Sequence, residues 1–417
     1  MSQGTDRTCC VVRTRKKILK KILFLPIFLG IFIGIFITSF ASKSGENVIL
    51  GEINAKEIEE SSEGLYEDSI DLLLDNLDFS ELDDFMESQE LQEDFSFVDI
   101  IKTILLTEGG VDKAWVFSQI WALLAHELQD SKPIFVQILI MCVAFALLQN
   151  FATVFKNSQI HKTCFFVFFL ALITLLMKSY LITSQILVSV LETIIEFMQA
   201  LIPAFCMSLS FATAISTATV FYQLILVVIY LVERILIYII LPAVHVYVVL
   251  VMLNALTEEE LISGITQLLQ KVITWCLRLM IGAIAGINLL QSLIAPAVDS
   301  LKNTAVTKAI SVIPGIGSAA NAMTSMYLGS AVVIKNGIGV TAMLLLLLIT
   351  LAPLVKLTLL TLLYKLTGAV VQPVADKRIC ACINGVGEGA KLLLHVLVTA
   401  LMMFMVSIAM VTASVRF

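Results

Sequence analysis

From Gly337 to Ala352 the chain reads GIGVTAMLLLLLITLA, a run without a single charged side chain. Comparable apolar runs recur at 22–40, 133–155, 163–183, 235–253, 276–296, 357–371 and 392–411. About 20 apolar residues suffice to cross a bilayer as a helix. Lipid offers no partner for exposed N–H and C=O groups, so each run must satisfy its backbone internally. The expected fold is therefore all-α, a polytopic integral membrane protein. Composition agrees: 59% of the residues are hydrophobic and 14% charged, with mean hydropathy +0.95, against about half and a quarter in soluble domains.

Charge divides the chain into three parts. Residues 1–41 read as a signal segment or N-terminal anchor: Arg13, Arg15, Lys16, Lys17, Lys20 and Lys21 precede the apolar run 22–40, which ends in Ser39-Phe40-Ala41. Residues 42–132 read as a small acidic helical region, exported because the basic end stays in the cytosol. Of the 33 acidic residues, 23 lie between Glu46 and Asp130. Within it Ile70, Leu73, Leu74 and Leu77 keep helical spacing, Ser80 with Asp83 marks a helix start, and Phe97–Leu106 and Val111–Gln129 continue the pattern. Such short helices bury little alone, so this region is either a solvated cap or a docking arm.

Residues 133–417 read as the membrane domain, with about seven transmembrane helices beyond the signal. Interfacial helices are expected at 186–198, where Glu192 and Glu196 oppose an apolar face, and after Thr257-Glu258-Glu259-Glu260, a capping box. A broken crossing is expected over 201–231, with an inner turn or an intramembrane pair at Glu233-Arg234. Lys and Arg fall inside and acid outside at most loops. That places 298–336 in the cytosol, sends 338–351 out and brings 357–371 back in; Lys178, Lys271, Arg278 and Lys356 do not fit the scheme.

No catalytic constellation is present. His126-Glu127 begins like a zinc-protease motif, but Asp130 stands at the second histidine position. Gly315-x-Gly317-x-x-Ala320 and Gly385-x-Gly387-x-Gly389 lack the preceding strand of a dinucleotide loop. The eight cysteines avoid the acidic region and form no zinc half-site, and His245 and His395 stand singly in apolar helices. No basic patch suits a nucleic acid. The reading is a non-enzyme without cofactor or metal.

The stretch 298–376 carries the candidate functional residues: Asp299, Lys308, Pro314, Gly315, Gly317, Lys335, Asn336, Gly339, Pro353, Lys356, Gln372, Pro373 and Asp376. Helix breakers among polar groups at membrane depth are tolerated where backbone lines a cavity or packs on protein. Asp299 with Lys308, Ile313-Pro314 with Gly317, Lys335-Asn336 with Gly339, Pro353 with Lys356, Tyr364-Lys365, and Gln372-Pro373 with Asp376 resemble, in order and spacing, the stage III sporulation protein AE family. Ala305 stands where that pattern leads one to expect a basic residue. The resemblance implies a subunit of a channel complex in the mother-cell membrane around the forespore. Its implied partners are the other stage III sporulation A-operon proteins and, directly or indirectly, stage II sporulation protein Q. It would support late forespore development after engulfment. The alternative from the residues alone is a secondary transporter with a midplane site formed by broken helices at 208–219 and 311–319.

Overall fold

The computed structural model shows which apolar runs join into single helices. It describes residues 74, 77–89, 96–106, 129, 132–133, 136–141, 143–144, 158–213, 227–256, 262–310, 317–373 and 377–414. All of these belong to one compact unit. The signal segment, nearly all of Val111–Gln129 and most of the 133–155 crossing lie outside the described residues. Every regular element described is helical: α1 (Ser80–Ser88), α2 (Phe97–Leu106), α3 (Ser158–Thr213), α4 (Leu241–Leu256), α5 (Ser263–Ile310), α6 (Gly317–Val371) and α7 (Lys377–Ser414). A π-helical turn, Leu236–Ile240, leads into α4.

The two short acidic helices start where the sequence predicts, by related devices. Ser96 caps α2: its Oγ accepts from the Asp99 N–H at 3.2 Å, and the Ser96 N–H donates to Asp99 Oδ2, also at 3.2 Å. At α1 the capping carboxylate is Asp78, which accepts from both the N–H and the hydroxyl of Ser80. Those bonds hold the Asp78 carboxyl below the usual range. Asp83 instead accepts from the Phe97 N–H at 2.7 Å, linking α1 to α2. Leu82, Phe85, Met86, Phe97 and Ile101 are buried.

The long helices correct the expected division into crossings. Five helical stretches among the described residues are long and apolar enough to span a membrane: Phe166–Ser208, Val227–Leu256, Ser263–Ile287, Gly329–Val371 and Lys377–Ala409. The 163–183 crossing and the helix expected at 186–198 are one helix, α3. The intervening Thr183 and Ser184 do not break it, because Thr183 Oγ1 donates to the Ser179 carbonyl at 2.9 Å and Ser184 Oγ bonds His245 Nε2 at 2.7 Å. The interfacial helix and the crossing expected after residue 261 likewise merge into α5.

No reversal occurs between Leu351 and Leu357, since α6 runs through Pro353. Membrane helices tolerate such a proline when neighbours stabilise the freed backbone. The 55 residues of α6 extend for about 80 Å, so the connections at its two ends stand far apart. Glu233-Arg234 forms no turn either; both sit inside the helical stretch Val227–Leu256. The π turn falls where Pro242 cannot donate to the Tyr238 carbonyl, and widening the helix there relieves the ring's clash.

Helix α7 is the centre of the bundle and packs against α3, α4, α5 and α6. Ile383, Val386, Leu393, Val396, Leu397, Ala400 and Phe404 are fully buried along it. Gly385 and Gly389 let α4 approach closely. A Cβ on either would lie 2.0 Å from Val251 Cγ1 or 2.3 Å from Val248 Cγ2, so only glycine fits. These glycines, read from sequence as a failed nucleotide loop, are helix-packing residues.

Candidate functional site

The residues of the 298–376 stretch are distributed along two helices and do not form one site. Asp299 and Lys308 lie in the second half of α5, and Gly317 is the first residue of α6. Pro314, Gly315 and Asp376 lie outside the described residues. Lys335, Asn336, Gly339, Pro353 and Lys356 all lie in α6, while Gln372 and Pro373 are exposed just beyond its end. Lys335 and Lys356 bracket 20 uncharged residues, about 30 Å of helix and so the thickness of the hydrocarbon layer.

At one end of that interval Lys335 is fully buried, and its Nζ donates to the Thr412 carbonyl at 3.1 Å. Thr412 lies in the last turn of α7, where carbonyls have no partner within the helix and the helix dipole is negative. A cation placed there answers both needs. Gly339, one turn on, faces the same residue; a Cβ would stand 2.2 Å from Thr412 Cγ2. Lys335 and Gly339 therefore hold α6 against the end of α7. Asn336 Oδ1 and Thr341 Oγ1 are buried nearby in sequence and have no hydrogen-bond partner among the described residues.

A second polar level lies toward the α6–α7 connection. Glu388 of α7 accepts from Lys365 Nζ at 2.9 Å and Lys391 Nζ at 3.1 Å, and from Gln270 Nε2 of α5 at 3.3 Å. Tyr364, beside Lys365, is hydrogen bonded through its hydroxyl to Ser179 of α3. His395 Nδ1 donates to the Lys391 carbonyl at 2.7 Å. His245 meets Tyr180 edge-on, ring centres 5.8 Å apart. Two of the cations that did not fit the charge-based topology adjoin residues of this level in sequence: Lys178 directly precedes Ser179, and Lys271 directly follows Gln270.

Glu388 is the functional candidate that sequence reasoning passed over. Its signal was there: a single carboxylate in an apolar helix with lysine three residues on, a spacing that makes an ion pair. Glu233 is a further one. It is fully buried, and neither carboxylate oxygen has a partner among the described residues. Arg234, the next residue, lies over the Tyr230 ring at 5.3 Å from its centre and donates Nε to the Tyr230 hydroxyl.

Long apolar helices tied by buried polar side chains define an α-helical integral membrane protein. The described residues hold no group of carboxylate, histidine or cysteine side chains that could bind a metal. The family model of stage III sporulation protein AE matches residues 95–415, and the chain belongs to that family. Stage III sporulation protein AE of Bacillus subtilis (strain 168) is 23% identical over 273 residues, covering 65% of this chain and 68% of that protein. No solved structure matches the chain. The family relationship supports a role in sporulation.

Proposed function

We propose that this chain is a non-enzymatic membrane subunit of the sporulation channel complex that links mother cell and forespore. It acts after engulfment, in the mother-cell membrane, with the acidic region facing the intermembrane space and the other stage III A-operon proteins and stage II sporulation protein Q as partners. The observation that carries this reading is the unlike chemistry of two sides of the bundle at one level. Phe85 of α1 packs on Phe197 of α3 at 5.5 Å, and Phe197 packs on Phe404 of α7 at 6.1 Å. On this side Glu81, Asp84, Glu87, Glu192 and Glu196 are exposed.

Sixteen residues beyond the Gln270–Glu388 hydrogen bond, α7 reaches Phe404 and α5 reaches Gly286, beside Ile287. There α5 exposes Ile287, Leu289 and Leu290. One side therefore suits lipid. The other carries carboxylates, each costing roughly 3 kcal/mol at the centre of a bilayer, and so fronts water or a partner. A subunit walling a conduit needs that division. Removing residues 43–130 behind an intact signal should abolish co-purification of the partners while the membrane domain still inserts. Undiminished partner recovery would refute the docking role.

One observation favours a secondary transporter instead: Glu233, buried and without a hydrogen-bond partner among the described residues, sits three residues before a π-helical turn, and such turns recur at functional sites. Uptake of a solute by liposomes holding this protein alone, lost in Glu233→Gln, would establish that alternative.

A further inference from the structure

The exposed face of α5 has a composition that points to a particular kind of lipid. Lys271, Trp275 and Arg278 follow at i, i+4 and i+7, which places them on one stripe of the helix. All three are exposed, Trp275 by 63%. Leu268, Val272 and Leu279 stand beside them, exposed by 65%, 46% and 49%. A contiguous apolar face of this kind is not left to water. Its two cations and tryptophan are also out of place deep in hydrocarbon. Tryptophan concentrates where acyl chains meet headgroups, and lysine and arginine lay their stems on apolar surface while the charge reaches that layer.

The length of the helix gives the same level. From Leu279 to Ala297 the residues of α5 are uncharged, about 28 Å of helix, and Asp299 and Lys302 follow. One headgroup layer then falls at Lys271–Arg278. Among the described residues the charge balance there is one-sided. Lys178, Lys271, Lys365 and Lys391 lie near the level of Glu388, with Arg278 about two turns further along α5, and Glu388 is already engaged by Lys365 and Lys391. Among the described residues, Lys271 and Arg278 form no ion pair with a carboxylate.

We infer that Lys271, Trp275 and Arg278 form a binding stripe for anionic phospholipid, the two cations holding the headgroup phosphate while Leu268, Val272 and Leu279 lie along its acyl chains.

The test uses the full-length chain in lipid nanodiscs with Trp115→Phe and Trp121→Phe, which leaves Trp275 as its one tryptophan. Quenching of Trp275 by phosphatidylglycerol brominated close to the headgroup is compared with quenching by the same brominated phosphatidylcholine. A basic residue at an anionic surface favours binding by about fivefold, so two should give a preference of about 30-fold for phosphatidylglycerol. Lys271→Gln with Arg278→Gln should erase the preference and keep quenching by phosphatidylcholine, which also shows that the variant is folded. Lys271→Arg with Arg278→Lys should retain it. Equal quenching by the two lipids in the parent would overturn the selection of anions. Stronger quenching by bromines at the chain ends would overturn the headgroup placement. Absence of quenching by either lipid would mean that protein covers this face, and would overturn the proposal entirely.

Discussion

Substituting Gly339 by alanine tests the closest approach in the bundle. The new methyl would stand 2.2 Å from Thr412 Cγ2 and 3.5 Å from Ile408 Cγ2. Thr412 cannot simply turn aside, because its hydroxyl donates to the Ile408 and Ala409 carbonyls at 3.0 and 2.9 Å. The helices must separate by more than an ångström, which carries Lys335 Nζ out of reach of the Thr412 carbonyl. Overpacking costs about 1–3 kcal/mol, and loss of a charged hydrogen bond about 1.5–3 kcal/mol. Alanine's better helix propensity returns roughly 1 kcal/mol. The expected net destabilisation is about 3 kcal/mol, read by SDS titration of the detergent-solubilised protein. Thr412→Ser removes the opposing methyl, keeps the hydroxyl, and alone should cost about 1 kcal/mol. In the double variant most of the Gly339→Ala loss should disappear, a coupling of about 2 kcal/mol. Additive effects would show that α6 and α7 do not meet at these residues.

Glu388→Gln leaves Lys365 and Lys391 without their shared carboxylate and should destabilise by about 2 kcal/mol in the same titration; an unchanged midpoint would contradict the network. Tyr364→Phe and Ser179→Ala should each cost about 1 kcal/mol, and together no more than either alone; additivity would separate the two hydroxyls. Single cysteines at Ala319 and Gln372, in a background without native cysteines, should label from opposite sides of the membrane; labelling of both from one side would refute a single crossing by α6. Ser80→Ala should raise the Asp78 carboxyl toward its ordinary value. Because that group is depressed in the folded chain, its contribution to α1 is present above the unfolded value and lost as pH falls through the folded one. A carboxyl-carbon NMR titration that gave the same value with and without Ser80 would refute the cap.

The sequence made legible whatever depends on local pattern. The start of α1 at Ser80 follows from a helix-start signal and the extent of α2 from apolar spacing, both of which act within a few positions. The membrane class follows from run length. What stayed hidden depends on partners distant in the chain. Thr183-Ser184 looked like an interruption because polarity resembles a turn when the neighbouring helix is unseen, and His245 supplies the missing partner. Pro353 looked like a stop, yet α6 packs on α7 and α3 and carries on. Lys335 was singled out for its company of glycines and asparagine, but that it faces a carbonyl 77 residues away is not written in any local pattern. Lys178 and Lys271 did not fit the charge pattern because each was judged on its own helix, whereas the Ser179–Tyr364 and Gln270–Glu388 bonds put both near the Lys365–Glu388 pair.

The central position of α7 has a consequence for how the chain is made. The four helices that α7 joins are synthesised before it; α3 can already pack on α6, but α4, α5 and α6 lack their main packing surface until α7 arrives. At about 5–20 residues per second, the 38 residues of α7 occupy the ribosome for some seconds after α6 is complete. Throughout that interval Lys335 has no Thr412 carbonyl to bind and Lys365 no Glu388. Nascent α3–α6 must therefore wait in the membrane with charged side chains unmatched, so the stage most exposed to membrane proteases and most dependent on insertion factors comes late in translation.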